Sequence, residues 1–139
     1  MLCLTVSFCF FAGSGCGGPK SPDVNVIRDA QKAFNAGLAA FEAGNNAEAI
    51  AQFTAALQSE TINGDMVGEA YILRAVAHAR TGDYASAHAD LDRAELGAAE
   101  DRVFSARSFV FGKQGKTTES AQAMRSARQR NADVETFKH

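Results

Sequence analysis

From Val24 onward, large apolar residues recur at helical spacing. Ile27, Phe34, Leu38 and Phe41 fall on one stripe, and Ala30, Ala33, Gly37 and Ala40 fall on the stripe beside it. A helix with large side chains on one stripe and small ones on the next has two different neighbours, and the small stripe lets one of them approach closely. Gly44 can close this helix in the left-handed conformation that residues with a Cβ resist. Asn45, with Glu48 three places on, forms an approximate capping box for a second helix. Ala49, Ile50, Phe53, Ala56 and Leu57 supply the apolar face of that second helix.

The same punctuation returns twice. Residues 33–57, 71–95 and 104–128 each open on a helix-like run, break at a glycine (Gly44, Gly82, Gly115) and continue in a second helical run. The glycines lie 38 and 33 residues apart, and the longer interval takes up its surplus in a junction at residues 60–65. A helix pair recurring at this period predicts an all-α array of three antiparallel helix pairs, over about residues 24–60, 65–97 and 100–130, followed by a short tail at 131–139. That tail is too short for a further helix. The last helix must therefore solvate the end of the array itself, and Gln122, Arg125, Arg128 and Gln129 give it a wet surface.

Composition allows one domain: 139 residues, 46% hydrophobic, 22% charged, two prolines and no tryptophan. The net charge of -2 conceals an internal slope. Residues 65–100 hold seven acids against three arginines, and residues 101–130 hold seven bases against two acids. The basic third unit could face an anionic lipid or an acidic protein surface, or simply keep the chain soluble. Opposite charges in neighbouring units could also drive head-to-tail self-association. Nucleic acid is disfavoured as a partner by the acidic middle unit and a sequence pI near 5.9.

Residues 1–19 carry no charge, and the apolar run at 2–12 is too short to span a bilayer, where about 20 residues are needed. Its length matches the core of a secretory signal. It ends in Gly13-Ser14-Gly15-Cys16, which resembles the lipobox of bacterial lipoproteins, although Gly13 stands where that family prefers leucine and no Lys or Arg precedes the apolar run. The resemblance implies a signal peptide at 1–15, lipidation of Cys16, and a tether through residue 23. The location it implies is the bacterial cell envelope, lipid-anchored on the periplasmic side, or the exterior. Without a working leader the chain stays cytoplasmic. All three cysteines (Cys3, Cys9, Cys16) lie in this segment, so the repeats offer neither a disulfide framework nor a thiolate metal site.

The repeats resemble the tetratricopeptide repeat, a pair of antiparallel helices with a small residue in the first helix and A-x3-F in the second. That element stands as Ala49/Phe53, Ala87/Leu91 and Ser120/Met124, and the small position as Gly37, Ala75 and Ser108. Gly82-Asp83-Tyr84 is the strongest single fragment, and the family's closing proline is missing from every unit. The resemblance implies a short right-handed α-solenoid whose first helices line a concave groove. Phe34, Leu38, Phe41, Ile72, Val76 and Phe109 would then form its apolar track, rimmed by Glu42, Glu69, Arg80, Arg102 and Lys113. The family's carboxylate clamp is not carried over: its positions hold Phe34, Leu38, Leu73, Arg102 and Ala106, of which only Arg102 could serve. An extended apolar peptide or an amphipathic helix suits such a track better.

No catalytic constellation accompanies the repeats. His78 and His88 are their only histidines, neither has the spacing of a metal motif, and both fall at packing positions. The expected protein is therefore non-catalytic, without metal or cofactor. It is expected to be either an adaptor holding a protein or peptide, or a self-assembling envelope component whose apolar groove is filled by its own copies.

Overall fold

A computed structural model describes residues 23–137. The expected signal peptide, most of the expected tether and Cys16 lie outside the described residues. The described chain is all-helical: α1 (Val24–Glu42), α2 (Asn46–Gln58), α3 (Gly64–Thr81), α4 (Tyr84–Ala94), α5 (Glu100–Lys113) and α6 (Thr117–Arg130). The expected all-α class is what the described residues show.

Side chains at the starts and backbone at the ends fix the helix boundaries. Asp23, Asn45, Asn63 and Asp83 each accept a hydrogen bond from a backbone N–H in the first turn of α1, α2, α3 and α4 respectively. Gly44, Gly82 and Gly115 take φ of 75°, 85° and 75°, and the residue after each donates its N–H to a carbonyl five residues back (Asn45 to Ala40, Asp83 to His78, Lys116 to Phe111). One left-handed glycine turn thus reverses the chain inside each pair.

Each pair packs internally: α1 on α2, α3 on α4, and α5 on α6. The first helices also touch one another, α1 with α3 and α3 with α5, while α2 meets α3 and α4 meets α5. Two apolar clusters result. One joins Ala30, Phe34, Ala49, Phe53 and Ala56 to Leu73 and Ala77 of α3. The other joins Ile72, Val76 and Ala79 of α3 to Leu91, Val103, Phe109 and Val110. Helix α3 is a wall of both clusters, which explains its eight buried residues.

In the first pair a small residue faces a large ring. A Cβ built on Gly37 would stand 2.8 Å from the fully buried Phe53 ring. In the third pair, Ser108 and Ser120 exchange hydrogen bonds instead: each hydroxyl donates to the other residue's carbonyl, at 2.9 and 2.8 Å. Both hydroxyls are satisfied between α5 and α6, which makes two polar residues acceptable there.

The charge slope is used inside the chain. Arg102 pairs with Glu69, Arg107 with Asp92 and Glu95, and Arg130 with Glu100. Arg102 and Arg107 therefore meet acids in and just after the second pair, while Arg130 meets the first residue of α5. A buried pair lies deeper: Arg74 of α3 binds Asp90 of α4 and also donates to Thr54 Oγ1 of α2 at 2.8 Å.

Candidate functional site

The candidate surface is the face shared by α1, α3 and α5. On α5, Arg102, Ser105, Phe109 and Lys113 recur every three or four residues and form one stripe. Glu69, Leu73, Val76 and Arg80 do the same on α3, and Phe34, Leu38 and Phe41 on α1.

Burial divides the expected track. Ile72 and Val76 have no exposed surface, Phe34 is 7% exposed and Phe109 is 4% exposed. Phe34, Ile72 and Val76 are core residues, packed on α2 or within the cluster of α3, α4 and α5, whereas Phe109 owes its cover in part to Phe137 of the tail and to the Arg80 and Lys113 cations. Phe34 spends its ring edge-on against Phe53, at 5.9 Å between centroids. Leu38, Phe41, Arg80 and Arg102 remain half-buried and keep surface to offer.

The cations expected on the rim lie over the rings instead. The Arg80 guanidinium stands 4.4 Å from the centroid of Phe41 and 5.9 Å from that of Phe109, and Lys113 Nζ is 5.6 Å from Phe109. Arg80 thus bridges an aromatic ring of α1 and one of α5. Burial lowers the Arg80 pKa, yet a guanidinium keeps its charge at neutral pH. Cations over ring faces, partly withdrawn from water, stabilise the row more than exposed ones would.

A second set of contacts comes from the tail. After α6 the chain turns, with Asn131 Nδ2 donating to Asp101 Oδ2 at 2.9 Å, and runs back onto α5. Val134 is buried, and Ser105 Oγ donates to the Glu135 carbonyl at 2.6 Å. The Glu135 carboxylate lies 3.6 Å from Arg102, and the Phe137 ring sits 6.3 Å from Phe109 and 5.1 Å from the Arg102 guanidinium. Phe137 packs against both apolar clusters. Between tail, α5 and α6 a cleft of about 390 Å³ is lined by Ser105, Phe109, Met124, Thr136 and Phe137.

The chain matches no protein family, no curated protein and no solved structure. Its own geometry therefore carries the functional assignment.

The two repeat histidines sit apart from this face. His78 Nδ1 is 3.4 Å from Asp83, and His88 packs on Phe111 beside Gln114. Among the described residues no three His, Cys, Asp or Glu side chains gather as a metal group would, and no helix is long and apolar enough to cross a membrane. The docking of the tail is the part of the site that the helical pattern misses. Its one signal is the pair Val134 and Phe137, apolar residues three apart in an otherwise polar segment.

Proposed function

We propose that this chain is a non-catalytic protein-interaction module, a short right-handed solenoid of tetratricopeptide type that binds a peptide or helix on the shared face of α1, α3 and α5. The observation that carries this is the row Phe41, Arg80, Phe109 and Lys113, where aromatic rings and cations from three helices converge on one surface. Aromatic and Arg side chains are the groups from which interface anchors are most often built. The three helix pairs with recurrent glycine turns, and contacts between successive first helices, support the solenoid reading. The lipobox-like Cys16 supports an envelope adaptor tethered by lipid, which the mass of the mature protein would test.

The alternative is a self-assembling component whose apolar groove is filled by its own copies. Of the opposite charges in neighbouring units, Arg102 with Glu69 and Arg107 with Asp92 and Glu95 pair within one chain, which favours the adaptor reading. A peptide library displayed against the full chain tests the adaptor reading. Enriched sequences should bind the wild type and be lost in Phe41→Glu at unchanged helical content; selection of nothing, or binding indifferent to Phe41→Glu, would reject it.

A further inference from the structure

The tail meets the groove through the groups a ligand would use. Ser105 holds a main-chain carbonyl, Arg102 faces both a carboxylate and an aromatic ring, and Phe109 receives that ring at its edge. Val134 and Phe137 anchor the segment three residues apart, with the acidic Glu135 between them, and the segment is not helical.

We infer that the groove takes a non-helical peptide segment carrying an apolar residue, an acidic residue next to it and an aromatic one three places after the first, and that residues 134–137 are its built-in occupant. This rests on the proposed role of the face as a binding site. The chemistry of the ligand follows from what holds the tail. Arg102 favours a carboxylate and a ring together, and Arg80 and Lys113 extend the cationic, aromatic surface beyond Phe109.

The tail is held loosely enough to leave. The Glu135 side chain is 88% exposed, so its ion pair with Arg102 is worth little. No regular backbone ladder joins the segment to α5, and the Ser105 hydroxyl supplies its hydrogen bond there. A terminal segment anchored through two apolar side chains, Val134 and Phe137, opens more readily than a packed helix. Being covalently attached, it nonetheless competes at a local concentration on the order of millimolar. Occupancy of about 90–99% would raise the apparent dissociation constant of an outside ligand about 10- to 100-fold.

The probe is a fluorescently labelled peptide with the sequence of residues 131–139, titrated by anisotropy into the full chain and into full-length Phe137→Ser and Glu135→Lys. Phe137→Ser should bind the probe at least tenfold more tightly than the wild type, with a smaller gain for Glu135→Lys, and a probe bearing serine at its own phenylalanine should bind neither. The Glu135 side chain is exposed, so that variant keeps the measurement meaningful if Phe137→Ser alters folding. Equal affinity for wild type and both variants, or no binding by any of them, overturns the inference. If the probe fails while library peptides still bind and depend on Phe41, the binding site stands without the tail's role. If nothing binds, both fall.

Discussion

Arg74 meets both carboxylate oxygens of Asp90, Nε to Oδ2 at 2.8 Å and Nη2 to Oδ1 at 2.7 Å, inside the junction of α2, α3 and α4. Only 3% of the Asp90 side chain is exposed, and Arg93 approaches the same carboxylate at 3.4 Å. Tyr71 lies beside both guanidinium groups. Removing one partner leaves a buried charge uncompensated, whereas removing both need not. Asp90→Ala should therefore lower unfolding free energy by about 3–5 kcal/mol in urea titrations, and Arg74→Met with Asp90→Leu should recover most of that loss. A loss of under about 1 kcal/mol for Asp90→Ala would mean that the pair is solvated and structurally idle.

Gly37 faces Phe53 with no room for a methyl group. Alanine would gain about 1 kcal/mol of helix propensity there. Forcing a Cβ against a ring that has nowhere to retreat costs about 1–3 kcal/mol. The second effect should win, so Gly37→Ala is expected to destabilise by up to about 2 kcal/mol. Adding Phe53→Leu to Gly37→Ala should make the glycine replacement less costly than it is alone, as a double-mutant cycle would read out.

Tyr84 opens α4, yet its hydroxyl donates to the carbonyl of Lys113, the last residue of α5, at 2.9 Å. It supplies a partner to one of the carbonyls a helix end leaves unmatched. Tyr84→Phe should cost about 1 kcal/mol. Amide exchange should rise at the end of α5 more than in α1.

Asp83 caps α4 by accepting from Ser86, and hydrogen bonds from the Ser86 side chain and backbone hold its pKa below the ordinary aspartate value, with His78 adding a smaller electrostatic pull. A carboxyl whose folded pKa is depressed adds stability above its unfolded pKa and loses it as pH falls through the folded one. Asp83→Ala should therefore melt below the wild type at pH 7, and the two curves should converge as the solution is acidified below the aspartate range. A gap unchanged at low pH would show that ionisation of Asp83 contributes nothing.

Local chemistry explains how much of this was legible. The glycine turns and the capping residue Asn45 act over four or five residues, so the sequence carries them directly and the helical class with its chain reversals is legible. Exposure of the apolar track was not legible. Ile72 and Val76 lie at the same helical spacing whether they face a groove or a neighbouring first helix, and only the contact of α3 with α5 decides. Arg74 with Asp90, 16 residues apart, and Ser105 with Glu135, 30 apart, are likewise invisible to a periodic pattern, because tertiary packing brings them together.

The place of α3 as a wall of both apolar clusters bears on how the molecule comes apart. A string of repeats couples each unit only to its neighbours and can fray from an end. Here α3 gives Leu73 and Ala77 to the cluster of the first pair, and Ile72, Val76 and Ala79 to the cluster it builds with α4 and α5. Loss of α3 removes a side from everything else, so the protein should be modular in its writing and indivisible in its melting.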